Sequence, residues 1–245
     1  MPPLRARVFA PTPGFTLLIL VLASLFVLLG VWQWRRGEAR QLAWQRFEQG
    51  AARLEDLGSR DVATLPLFQR VAARGQLDGA HQFLLDNRSH EGYPGYEVLT
   101  PLRRSAAATL LIDRGWVPFT GHRSQLPDVS LNVPGEVTLS GRLGQLPSPG
   151  LASGRAAPDP SAPWPKLTSY PDTQQLAQAL HEPLAGRLLL LDPQAPYGFV
   201  RAWQAPGIPP LRHFSYALQW WSFAVLAVVG WALVSRRPAA PQRAP

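Results

Sequence analysis

Two long uncharged runs, one near each end, constrain this chain more than anything else in it. From Val8 to Trp34 there is no charged residue, and Phe15 to Gly30 is almost wholly Leu, Val, Ile, Phe and Ala. A second uncharged run extends from Phe214 to Ser235. At about 1.5 Å rise per residue, roughly 20 helical residues cross the ~30 Å hydrocarbon layer of a bilayer, and both runs are long enough. Aromatic residues stand towards their ends, Trp32 and Trp34 in the first and Tyr216, Trp220, Trp221 and Trp231 in the second. Such rings settle at headgroup level. Arg5 and Arg7 ahead of the first run would also suit a cleaved secretion signal. That core is only about 7 to 15 residues long and precedes a small-residue cleavage site, whereas this run is longer and ends in Trp-Gln-Trp-Arg-Arg. It reads as an uncleaved anchor.

The expected architecture is therefore an α+β membrane protein, with two transmembrane helices flanking one mainly antiparallel β domain outside the cytoplasm. Its parts are a tail (1–14), a first span (15–34), a water-facing domain (35–212), a second span (213–235) and a second tail (236–245). The 245 residues are too few for two well-formed cores in addition to two spans. Two spans place both tails on one side. Around the second span, Arg236, Arg237 and Arg243 outweigh Arg212, which puts the C-terminus in the cytoplasm. Around the first, Arg5 and Arg7 against Arg35, Arg36 and Arg40 points weakly the other way. Short tails constrain orientation more than the start of a long translocated domain, so the second span decides.

The formal charge is +8, carried almost entirely by arginine. The arginines are scattered and concentrate only beside the two spans, where anionic headgroups account for them; membrane lipid is the expected partner and nucleic acid is not. With no cysteine, the chain has no disulfide framework, thiol nucleophile or thiolate metal site.

Between the spans, Gly37 to Leu57 reads as a polar helix continuing out of the membrane, with Leu42, Phe47, Ala51 and Leu54 near helical spacing and Gly58 as its end. Short apolar runs separated by Gly, Pro, Asn and Asp follow. They predict strands over 68–76, 82–86, 96–102, 109–117, 136–143 and 187–191. Leu146 to Pro165, rich in Pro, Ser, Gly and Ala, reads as a mobile loop. Thr173 to His181 reads as a short helix capped by Thr173, and Pro193 to Pro210 as a stiff Pro-rich return.

Common catalytic motifs are missing: no Gly-x-Ser-x-Gly elbow, Walker loop, His-Glu-x-x-His or dinucleotide fingerprint occurs. This argues against an enzyme, with a membrane-anchored envelope hydrolase or transferase kept as the alternative. His81, His90 and His122 match no ligand spacing and read as surface histidines. Asp86 and Asp113 would suit an acid–base pair, but each adjoins an arginine, Arg88 or Arg114, and reads more simply as an ion pair or turn former.

The stretch from Asp86 to Tyr96, then Thr100-Pro101-Leu102 and Asp113-Arg114-Gly115-Trp116-Val117-Pro118, is more particular than a generic sheet. So are Leu29-Gly30-Val31-Trp32-Gln33 with Arg36 and Arg40, Pro134-Gly135-Glu136-Val137 with Gly141, and His213-Phe214-Ser215-Tyr216-Ala217-Leu218-Gln219-Trp220. Together these blocks resemble the surfeit-locus type of cytochrome c oxidase assembly factor, over nearly the whole chain except the tails and the 146–165 loop. Ser215 stands where that family usually has Gly, and Arg40 where Lys is common.

The resemblance implies a multi-pass protein of the bacterial inner membrane with its domain on the outer side. It implies help in building haem-copper oxidase, through delivery or insertion of haem a into the catalytic subunit, with that subunit and haem a synthase as partners. A copper-delivery role fits poorly, because the chain offers no thiolate and only Met1 as a thioether. If haem is held, the candidate residues are His213 as iron ligand or docking contact, Tyr216 and Trp220 at i+3 and i+7 as aromatic walls, and Arg36 and Arg40 for the propionates. The plainer alternatives stand beside these: a histidine at headgroup level, and arginines snorkelling to phospholipid beside Trp32.

Overall fold

A computed structural model describes residues 7–50, 53–148, 156–205 and 207–238. In chain order the elements are β1 (Arg7–Phe9), α1 (Pro13–Gln49), β2 (Leu54–Asp56), β3 (Arg70–Leu77), β4 (Phe83–His90), β5 (Tyr93–Arg103), β6 (Thr109–Pro118), β7 (Glu136–Gly144), β8 (Lys166–Thr168), α2 (Thr173–Leu180), β9 (Leu184–Leu191), α3 (Pro210–Val234) and β10 (Arg236–Pro238). They form two compact units. One comprises the chain up to Trp44 and from Pro206 onward; the other is Gln45–Ala205.

The first unit holds the two apolar helices, both long and apolar enough to cross a membrane. They pack antiparallel. Trp231 Nε1 donates to Thr16 Oγ1 at 3.0 Å, Phe26 stacks on Trp220 at 5.8 Å between centroids, and Trp34 meets Phe214 at 4.8 Å. Close approach is possible because Gly30 faces Trp221, whose Nε1 lies 2.2 Å from where a β-carbon would stand. The residues flanking the helices pair as strands, β1 antiparallel to β10 with Val8 opposite Arg237.

The second unit is a sheet whose strands run β2-β3-β7-β9-β6-β5-β4-β8, with β5 also pairing to β3. That last pairing, Gln76 with Arg103 and Leu77 with Leu102, closes β3, β7, β9, β6 and β5 into a barrel. At the other end of β3 the same edge is taken by β2, so the barrel is only partly closed. The sheet is mainly antiparallel, as expected, but β2 with β3, β4 with β8 and β6 with β9 run parallel. Alternation fills the interior: Val71 and Ala73, Leu110 and Ile112, Leu139, Leu143, Leu189 and Leu191 form one buried cluster. Burying each such leucine contributes about 1.5–3 kcal/mol. Leu111 and Leu188 point outward instead, and Leu176 of α2 covers them.

Three local expectations are corrected. The first helix ends at Gln49 rather than Leu57, because Leu54–Asp56 pairs with Arg70–Ala72; Gly58 lies in the following turn, its N–H bonded to Asp56 Oδ1. The cap of α2 is Asp172, which accepts from Gln175 N while the Gln175 side chain accepts from Asp172 N, a capping box. In the 146–165 segment, residues 149–155 lie outside the described residues. The rest is anchored: Ala156 bridges Ser169, and Lys166 Nζ donates to the carbonyls of Asp159, Pro160 and Ala162 at 2.5–3.0 Å.

Candidate functional site

His213 opens the second turn of α3 and is 8% exposed, turned towards α1. Its Nδ1 lies 2.9 Å from Gln33 Oε1. With that oxygen as acceptor, Nδ1–H is the donor and the imidazole lone pair resides on Nε2, for which no hydrogen bond exists among the described residues. A second-sphere acceptor on one ring nitrogen is how proteins orient an imidazole whose other nitrogen binds a metal.

The remaining candidates separate around this bond. Trp220 lies on the α1-facing side, against Phe26 and Phe223. Tyr216 does not join it: the residue is 52% exposed on the outer flank of α3, because i+3 falls about 60° behind His213 on the helix. Arg36 lies over the Trp32 ring at 5.3 Å, as their spacing predicts. Arg40 falls almost on the Gln33 line of α1, and its guanidinium rests against Gly207, where a β-carbon would come within 2.7 Å of Nη1. Gln33 is the residue that sequence reasoning passed over as a site residue, although it stands in one of the blocks that carry the resemblance.

In the barrel domain, the Arg114-Gly115-Trp116 motif fastens the returning chain. Phe199 N donates to Arg114 O at 2.7 Å, and Trp116 N to Val200 O at 2.7 Å. Arg114 is buried and pairs with neither Asp86 nor Asp113, contrary to the sequence reading. It donates to Tyr197 O at 2.6 Å and Gln82 Oε1 at 2.7 Å and lies over the Phe199 ring. Burial without a carboxylate, reinforced by nearby Arg201, lowers its pKa to about 10. Asp86 pairs with Arg123, and Arg88 with Glu97 at 3.3 Å. Asp113 is buried near Glu97. Burial first, then the Glu97 charge, hold its carboxyl well above the usual range, and burial also raises Glu97 against the pull of Arg88. His81 is tied to Asp78, and the His90 ring meets Trp116 at a tilt, 5.4 Å between centroids. Among the described residues, no group of three or more His, Cys, Asp or Glu is arranged to hold a metal ion.

Two apolar helices joined by an imidazole–amide bond, bracketing in sequence a partly closed barrel, define a class of two-helix β-barrel protein. The sequence model of the SURF1 family matches residues 20–225, and the chain belongs to that family, which is associated with cytochrome c oxidase assembly. It is 29% identical over 234 residues to SURF1-like proteins of Mycobacterium bovis and of two Mycobacterium tuberculosis strains, covering 91% of this chain and 83% of each relative.

Proposed function

We propose that this protein is a non-catalytic assembly factor for haem-copper cytochrome c oxidase that assists delivery or insertion of haem a into the catalytic subunit. In this reading α1 and α3 span the bacterial inner membrane and the barrel domain stands on its outer side. The observation that carries it is the His213–Gln33 bond: a nearly buried imidazole in an apolar helix pair, oriented by an amide that leaves Nε2 able to donate its lone pair. An ionisable group inside such a pair is costly unless it is used.

The donor set fits haem. His213 supplies the nitrogen that iron prefers, Gln33 fixes the ring, Trp220 supplies an aromatic surface, and Arg40, on the Gln33 line, supplies a cation for a propionate. When bound, haem a brings the redox iron that the oxidase requires. This chain would hold and orient it.

The test is a deletion strain. The expected result is loss of haem-replete oxidase with oxidase transcripts unchanged. Normal oxidase activity and haem content, in a strain with no paralogue, would contradict the assignment.

A further inference from the structure

The barrel domain carries a cleft of about 540 Å³ whose walls are basic. Arg70 and Arg142 are Cα partners across the β3–β7 ladder, so their side chains rise side by side on the outer face. Like charges placed directly opposite are destabilising. Arg201 adds a third cation. The acidic residue among the described lining residues is Asp192, which accepts from Arg70 at 2.6 and 3.0 Å and from Ser140 Oγ at 2.7 Å. One carboxylate therefore faces three guanidinium groups and leaves two positive charges unmatched.

These cations are also held in place. Arg142 donates one nitrogen to Phe47 O at 2.7 Å and lies over the Phe47 ring at 4.3 Å. Arg201 donates Nη1 to Asp192 O and Ala195 O at 2.7 and 2.8 Å. Trp203, fixed by its Nε1 bond to Leu191 O at 2.7 Å, forms an apolar flank. With five N–H donors per guanidinium, each arginine retains donors that these bonds do not engage. Rigid, convergent and undercompensated guanidinium groups are the usual means of recognising phosphate.

We propose that the cleft formed by Arg70, Arg142, Arg201, Ser140 and Trp203 binds a phosphate group, carried either by a soluble phosphate ester or by a lipid headgroup. Asp192 is a built-in competitor that occupies Arg70 when the site is empty. The site is built wholly from residues of the barrel unit and does not depend on the haem reading.

The experiment uses the full-length protein in phosphate-free maltoside micelles at constant ionic strength, titrated calorimetrically with inorganic phosphate. Saturable binding is expected. Arg142→Gln should weaken it about tenfold or more, the loss expected for a charged hydrogen-bond partner. Asp192→Asn should tighten it, an effect that misfolding cannot mimic. Arg74→Gln, an exposed arginine paired with Glu136 outside the cleft, should leave it unchanged. Adding phosphatidylglycerol to the micelles separates the sources: displacement of phosphate identifies a headgroup, and undiminished binding identifies a soluble ligand. Absence of saturable phosphate binding, or binding that both Arg142→Gln and Asp192→Asn leave unaltered, overturns the proposal.

Discussion

The carbonyl oxygen of Val200 stands 2.4 Å from the point that a β-carbon on Gly115 would occupy, and Gly115 itself has φ +107°. Both facts require glycine at this position, for separate reasons: the left-handed backbone and the close approach of the returning chain. Gly115→Ala should therefore cost about 2–4 kcal/mol, combining backbone strain with overpacking. Thermal melting of the purified protein checks this. An unchanged melting temperature would mean that the 199–200 segment is not fastened to β6 as described.

Asp113 gives a pH dependence of definite sign. Its folded-state pKa is raised, so the stability linked to it is present below the ordinary carboxyl range and is lost as pH rises through the raised value. Asp113→Asn retains an acceptor for Gly115 N and removes the charge facing Glu97. The variant should melt higher than wild type at pH 7, by about 1–3 kcal/mol in stability, with the difference shrinking towards pH 4. Asp192 behaves oppositely. Although burial opposes it, the bonds from Arg70 and Ser140 and the nearby Arg142 charge lower its pKa. Asp192→Asn should therefore destabilise at neutral pH, and that loss should fade as pH falls through the lowered folded-state value.

Arg236 and Arg237, beside the second apolar helix, give the proposed topology a direct test. A reporter fused to the C-terminus should be active only on the cytoplasmic side, and one inserted within residues 146–165 only on the outer side. The reverse pattern would invert the proposed topology.

Much of this architecture is written in the sequence. The absence of charge over 8–34 and 214–235 marks the helices, and short apolar runs set off by Gly, Pro, Asn and Asp mark the six principal strands, most within about three residues at each end. What could not be read depends on partners distant in the chain. The three-residue strands Leu54–Asp56 and Lys166–Thr168 exist because Arg70–Ala72 and Phe83–Leu85 offer them an edge. Barrel closure rests on the contact of Gln76 and Leu77 with Arg103 and Leu102. The site divides in the same way. Helical spacing brings His213 and Trp220 to the α1-facing side but also predicts Tyr216 there, which the helix turns outward, whereas the contact of Gln33 appears only when the two helices are brought together. The same holds for Arg70 beside Arg142: neither arginine is notable until the β3–β7 register aligns them.

Gln33 provides a graded test of the helix pair. Gln33→Leu removes the acceptor that orients His213 and should weaken haem retention about tenfold or more, the scale of losing an outer-sphere partner of a metal-binding histidine. Gln33→Glu restores an acceptor and should recover much of the loss. Equal haem retention in both variants and wild type would separate Gln33 from the site.

The central claim, that this protein holds haem through His213 in the pair of apolar helices, is tested most directly by the haem content per purified protein from cells that make haem a, comparing wild type with His213→Ala. The wild-type protein should show a Soret band at near-stoichiometric haem, and the variant, inserted in the membrane at normal levels, should lose it along with oxidase assembly in the cell. A variant that inserts normally, retains bound haem and supports full oxidase activity would contradict the claim and reduce His213 to an interfacial anchor.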